Sequence, residues 1–304
     1  MSFKRLDIED VTISAESIVA PAWTGQQTTV AFPKLSTSPT QVTSNSGRYY
    51  YNVYQTGSTQ TGAEVQFSVA VGNAVTSSDS PQRVIYGQYR TLINGDEDTN
   101  FSFGTSTPTT VGVISVNRSR FKEKLAVGST TLILSGSTGR ISLTDDSTVA
   151  TTVSYVDAGR VFNLYSGSAG TINSTTTTFG KMYPDIGVFV LNLPAITAGT
   201  GITGSISGLT NAINSFTLQS EETITSNYVF VRVRNSEYNY STNPSIITGS
   251  GELRYDVMVN SPQAYITTVG LYNDNNDLLA VAKLSRPLLK DFTKEALVRI
   301  KLDY

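Results

Sequence analysis

The chain has 304 residues, of which 39% are hydrophobic and only 15% charged, with a formal charge of −2 and neither cysteine nor histidine. The missing Cys and His exclude disulfides, zinc clusters, thiol nucleophiles and every His-based triad, and they remove the usual titration near neutrality. A near-neutral chain also lacks the basic excess of a nucleic-acid binder. Its apolar runs, such as Val188 to Leu191, fall far short of the ~20 residues that span a bilayer. Lys4 and Arg5 are followed by no apolar stretch of the kind a secretory leader requires.

Ser and Thr make up about a quarter of the sequence. Thr, Val, Tyr and Phe favour strands, and Ser, Gly and Asn favour turns. This mixture predicts a mainly β chain: an antiparallel β-sandwich-like domain with a second, small β domain inserted in it. The length admits roughly two domains of about 150 residues.

In chain order, residues 1–46 read as an N-terminal arm or linker, ending in the Ser/Thr/Pro-rich stretch from Leu35. Tyr49, Tyr51 and Val53 alternate with Arg48, Tyr50, Asn52 and Tyr54. Val65, Phe67, Val69 and Val71 alternate with Glu64, Gln66, Ser68 and Ala70, the pattern of a half-buried antiparallel strand. Gly57 to Gly62 suits the hairpin loop between them. Pro81 to Leu92 shows no strict alternation and admits a short helix. Val111 to Asn117 is a further strand, which closes the first part of the main domain, 47–118.

Residues 119–215 read as the inserted domain, with short strands at Leu132–Leu134, Ile141–Leu143, Val161–Phe162 and Ile186–Leu193. Asn173 to Thr178 is of low complexity and marks a loop or hairpin tip. The main domain resumes over 216–304. Val229, Val231 and Val233 share one strand face, as do Leu253, Tyr255, Val257 and Val259. Tyr265 to Tyr272, the turn Asn273 to Asp277 and Leu278 to Lys283 form a hairpin, whose sheet Leu297 to Tyr304 completes. Arg286 to Thr293 reads as a short helix or ordered loop. A chain ending in a strand needs a partner for that edge, in its own sheet or in a neighbouring subunit.

The candidate chemistry is sparse. Asp96, Glu97 and Asp98 follow the turn signal Asn94-Gly95. Asn273 to Asp277 has the acids of a calcium loop without its sixth-position Gly or distal Glu, so a hairpin turn is the better reading. The neighbours Asp145 and Asp146, and Glu221 and Glu222, face opposite ways on strands and make no natural carboxylate dyad. Arg118, Arg120, Lys122 and Lys124 form the densest basic run, diluted by Glu123; it admits an acidic partner or a phosphate, but reads first as a solvated face. Gly136 to Gly139 lacks the Lys-Ser/Thr of a phosphate loop and is a plain turn. A lone Trp, Trp23, offers little for a sugar-stacking groove. No catalytic, cofactor-binding or metal residues are assigned, and no cofactor is expected. The 16 tyrosines, dense at Tyr49–Tyr51 with Tyr54 and at Tyr238 and Tyr240, divide between core and an assembly surface.

Asn52–Ser58, Asn117–Leu125, Gly159–Phe162, Tyr183–Val188, Arg234–Tyr240 and above all Tyr265–Leu284 with Lys290–Leu297 resemble blocks of a virion structural protein of T4-like marine and cyanobacterial myoviruses. The Val-Gly-Leu-Tyr and Leu-Leu-Ala-Val core of the closing segment is also similar to segments of phage tail-fibre attachment proteins. The resemblance covers roughly 48–304 and implies a non-enzymatic part of the tail, baseplate or neck. Such a part is assembled in the host cytoplasm and resides in the virion. Its implied partners are other virion proteins and copies of itself, without nucleic acid or membrane. A neck-fibre or capsid-decorating protein is the alternative within that setting, and a host-surface glycan-binding module the alternative outside it.

Overall fold

The computed structural model describes residues 5–31, 49–54, 64–77, 80–241 and 243–303. The fold is mainly β and antiparallel, as expected. Its elements in order are β1 (Val11–Pro21), β2 (Thr29–Ala31), β3 (Tyr51–Tyr54), β4 (Val65–Asn73), α1 (Pro81–Asn94), β5 (Thr110–Val116), β6 (Lys124–Leu125), β7 (Thr131–Ser135), β8 (Arg140–Asp145), β9 (Ser154–Val156), β10 (Gly159–Ser168), β11 (Thr171–Ser174), β12 (Gly180–Tyr183), β13 (Val188–Asn192), α2 (Leu193–Thr200), α3 (Ile206–Ala212), β14 (Ile213–Thr217), β15 (Gln219–Val233), α4 (Asp256–Asn260), β16 (Gln263–Tyr272), β17 (Leu278–Asp291) and β18 (Ala296–Asp303). The proposed loop at Gly57–Gly62, the stretch 35–47, Arg48 and Tyr304 lie outside the described residues.

The chain divides into two compact units, residues 17–223 and residues 1–16 with 224–304. The boundaries expected at 118/119 and 215/216 are therefore corrected. In the first unit the strand order is β2-β14-β7-β8-β10-β12-β13-β5-β4-β3, with β9 and β11 paired to β10. Strands of the supposed insert thus hydrogen-bond directly into the sheet of β3–β5, with β13 lying against β5 from Val188↔Ser115 to Asn192↔Val111. Short apolar runs between Gly and Ser/Thr clusters look like a separate small domain. Here they are the middle of one large sheet. Residues 11–21 and 29–31 of the expected arm are strands as well.

Period-two alternation sorts the side chains of that sheet onto two cores. Phe67, Val69 and Val71 of β4, Ile114 and Val116 of β5, and Phe189 and Leu191 of β13 face the first core. Ala70, Val111, Val113, Val188 and Val190 face the second. β4 is consequently buried on both faces and not on one, because α1 covers its reverse side. α1 starts with Pro81 in its first turn, presents Ile85, Tyr86, Tyr89 and Ile93 inward, and ends at Gly95 with φ +73°. A Cβ at Gly72 of β4 would lie 3.1 Å from the Tyr86 backbone, so glycine permits the close approach.

The first core is closed by curling of the sheet. Phe67 of β4 and Phe216 of β14 stand 5.6 Å apart in an edge-to-face pair, although six strands lie between theirs in the sheet order. Trp23 seals this seam, 5.9 Å from Phe67 and 5.3 Å from Phe216.

In the second unit Ser226–Val233 of β15 pairs antiparallel with β18. The hairpin β16–β17 forms a two-stranded sheet of its own. The expectation that β18 would complete the hairpin's sheet is corrected: Val269, Leu271, Ala282, Leu284 and Leu288 pack face-on against Val229, Val298 and Ile300. Two further expectations fail here. Glu252 to Val259 contains α4, and Tyr255 and Val259 are exposed. Hydrogen bonds from Thr248 N to Glu252 O and from Arg254 N to Ile246 O curl the segment onto itself, so it never meets a long partner strand. Arg286 to Asp291 is neither helix nor loop but the far end of β17.

Candidate functional site

The basic run 118–124 is not a free solvated face. Arg120 reaches Glu64 at 2.7 Å and also Thr24 Oγ1. Lys122 meets Glu222 at 2.6 Å, and Lys124 lies 3.8 Å from Glu221 and 3.9 Å from Glu123. Arg118 stacks over the Phe121 ring at 4.6 Å and donates to Phe121 O. The Glu221–Glu222 pair points two ways, as strand geometry demands, and each carboxylate answers a lysine. Glu123 accepts the Thr223 backbone N–H at 2.8 Å, which with Lys124 holds its carboxyl below the usual range. This lattice neutralises the patch and leaves it poorly suited to a phosphate.

The lattice continues to Arg160 and Asp185. The Arg160 guanidinium grips Asp185 Oδ1 at 2.6 and 3.0 Å, and the Arg160 backbone N–H donates to Oδ2 at 2.8 Å. Burial alone would push the Asp185 carboxyl up; the hydrogen bonds and charge of Arg160 outweigh it and hold it below the ordinary range. Gly159, with φ +102°, leaves the space that Asp185 fills, since a Cβ there would lie 2.4 Å from Oδ2. Gly187, with φ +70°, does the same for the Phe121 ring. Three of the segments named for their resemblance, 117–125, 159–162 and 183–188, therefore meet in one structural knot.

Beside it lies an open cleft of about 370 Å³, lined by residues 20–26, Ser119, Arg120, Phe121, Lys122 and Ser220. Its charged side chains, Arg120 and Lys122, already have the carboxylate partners just described.

The acidic candidates are structural. Asp96 Oδ1 accepts the backbone N–H groups of Thr99 and Asp98, and these bonds, Thr99 first, keep its carboxyl below the ordinary range. Asp145 and Asp146 are both buried. Asp145 Oδ1 accepts from Gly128 N and from Ser147, and Asp146 accepts the backbone and side-chain N–H groups of Asn163. Asn273 and Asp277 bond to each other across the hairpin turn. Among the described residues no group of three or more acidic ligands is placed to hold a metal. Gly136 N donates to Gly139 O in the β7–β8 turn. Among the described residues no helix is long and apolar enough to cross a membrane.

The tyrosines split differently from the alternation. Tyr49 packs with Tyr50 on the second core, and only Tyr51 reaches the first. Tyr50 donates to Gln88 and lies edge-on to Tyr89, and burial raises its pKa strongly. Tyr240 remains exposed.

Exposed apolar side chains are scattered over the chain, among them Ile8, Val75, Tyr155 and Leu297, and one group of them lies on the reverse of the β16–β17 hairpin. Leu279 is 68% exposed, Tyr265 64% and Val281 58%, with Leu278 beside them. Tyr272 folds over Gly270, where a Cβ would lie 2.9 Å from its ring and 3.3 Å from Leu278. Sequence reasoning missed Lys290, which is fully buried. The signal was present: Ala282, Leu284, Leu288 and Lys290 share one parity, that of the inward face.

No protein-family model, curated protein or solved structure matches this chain.

Proposed function

We propose that the chain is a structural part of a bacteriophage virion, in the tail or baseplate, that works by packing against neighbouring proteins and copies of itself and performs no catalysis. The carrying observation is the reverse face of β16–β17. The inner face of this hairpin is already used by its own core, yet Leu278, Leu279, Val281 and Tyr265 stay exposed on the reverse. Large apolar side chains grouped on a surface mark interaction sites. The same segment carries the strongest resemblance to virion proteins. The ionic lattice around Arg160 and Lys124 supports the reading from another side, since it spends charge on rigidity and leaves no converging reactive groups there.

The test has two parts. Mass spectrometry of purified particles is expected to find the chain, and the isolated protein is expected to self-associate through the hairpin. A protein that stays monomeric and is missing from mature particles sinks the proposal. Labelling on head or neck in place of tail moves it to a decorating or neck-fibre role, and binding on a glycan array favours a host-surface module.

A further inference from the structure

The loop after β15 carries Asn235 and Asn239, and β17 carries Lys290. Lys290 is fully buried and Asn239 is 3% exposed. Lys290 Nζ donates to Asn239 Oδ1 at 2.7 Å, to Asn235 O at 3.0 Å and to Asp291 O at 3.0 Å. All three acceptors are neutral; the Asp291 carboxylate acts on the group through space only, as the last of the influences that hold that carboxyl below its ordinary range. An ammonium group taken out of water with no carboxylate bonded to it is an expensive thing to keep.

The amide it touches is held in one orientation. Asn239 Nδ2 donates to Asn235 O at 2.7 Å, which turns Oδ1 toward Nζ. The carbonyl is thereby polarised by the ammonium group. A C=O bond is about 1.23 Å long, so Nζ lies within about 3.9 Å of Asn239 Cγ. Amine and carbonyl carbon are held near reacting distance by the fold itself, the condition under which intramolecular reactions gain most. Burial keeps competing water away from the carbonyl.

We propose that Lys290 and Asn239 close an intramolecular isopeptide cross-link. Nζ passes a proton towards Nδ2 and attacks Cγ with the freed lone pair. The new Nζ–Cγ bond forms, the Cγ–Nδ2 bond breaks, and Nδ2 leaves as ammonium. Of the three Nζ hydrogens, one stays on the new amide and two depart on Nδ2, so atoms and charge balance without oxidant or co-reactant. The product replaces a buried cation with a neutral amide. It also ties residues 51 positions apart, fastening the loop after β15 to the hairpin. A covalent tie of this kind does not need the cysteines the chain lacks, and the inference does not depend on where the protein resides.

The experiment is an intact-mass measurement on the full folded chain followed by peptide mapping. The wild-type chain is expected to weigh one ammonia less than its sequence, and its digest to contain a branched peptide joining the segments of Lys290 and Asn239. Lys290→Arg and Asn239→Ala are expected to restore the full mass and abolish the branch. A wild-type chain of full mass after prolonged incubation overturns the proposal. So does ammonia loss confined to an unbranched peptide, which is succinimide formation at Asn239. The wild-type map decides alone, whether or not the variants fold.

Discussion

The indole Nε1 of Trp23 donates a 2.8 Å hydrogen bond to the backbone carbonyl of Phe216, while the two rings stand 5.3 Å apart. This contact joins the start of the first unit to the strand near its end. Trp23→Phe keeps most of the packing and strands the carbonyl, for an expected loss of ~1–3 kcal/mol. Trp23→Ala adds a cavity, for ~3–5 kcal/mol. Urea denaturation followed by circular dichroism measures both. In the wild type the same transition is readable by fluorescence, because Trp23 is the chain's single tryptophan.

The Arg160–Asp185 grip predicts a pH dependence. The folded carboxyl binds its proton less tightly than the unfolded one. Its stabilisation is therefore complete above the ordinary carboxylate range and is lost as pH falls through the lower folded value. Asp185→Asn is expected to cost ~1 kcal/mol at neutral pH, the partial exposure of the pair discounting the larger value of a buried one. The variant's deficit should shrink towards acid. Denaturation midpoints at neutral pH and near pH 3 check this; an unchanging deficit contradicts it.

Gly187→Ala forces a Cβ into a backbone with φ +70° and onto the Phe121 ring at 2.6 Å. Strain and overpacking together predict a loss of ~2 kcal/mol or more. Gly199→Ala in α2 meets nothing within 4 Å and is expected to be neutral or to gain up to ~1 kcal/mol. Thermal melts of the two variants side by side separate the mechanisms.

The hairpin's reverse face gives a prediction about association. Leu279→Lys and Val281→Lys change exposed side chains, so stability should shift by no more than ~0.5 kcal/mol. Self-association, measured by sedimentation, should fall sharply. Equal loss from a lysine placed at Val149, an exposed apolar residue of the first unit, would argue against a specific surface.

Much of the fold was legible where alternation and a long partner strand agree. Phe67 to Val71, Val229 to Val233 and Val298 to Leu302 present the expected faces, and Val111 to Val116 lies in a strand as expected. Alternation at Glu252 to Val259 misled, because period two is only a face waiting for a partner and local hydrogen bonds claimed the backbone first. The unit boundary was not legible, since it depends on which strands pair and short strands carry no label of their neighbours. The charge lattice was half legible. The spacing placed Glu221 and Glu222 on opposite faces, but that those faces met Lys124 and Lys122 is a fact about residues far away in the sequence.

The seam at Trp23 also governs when this protein can finish folding. Its two partners are separated by 193 positions, so closing the curled sheet is a long-range event with a large loop entropy. A ribosome builds the chain from the amino terminus, and Trp23 emerges long before β14 exists to receive it. Through most of synthesis the apolar face of β4 around Phe67 therefore waits uncapped, and a nascent chain stalled before Phe216 should be captured by chaperones while one released after Leu218 should not.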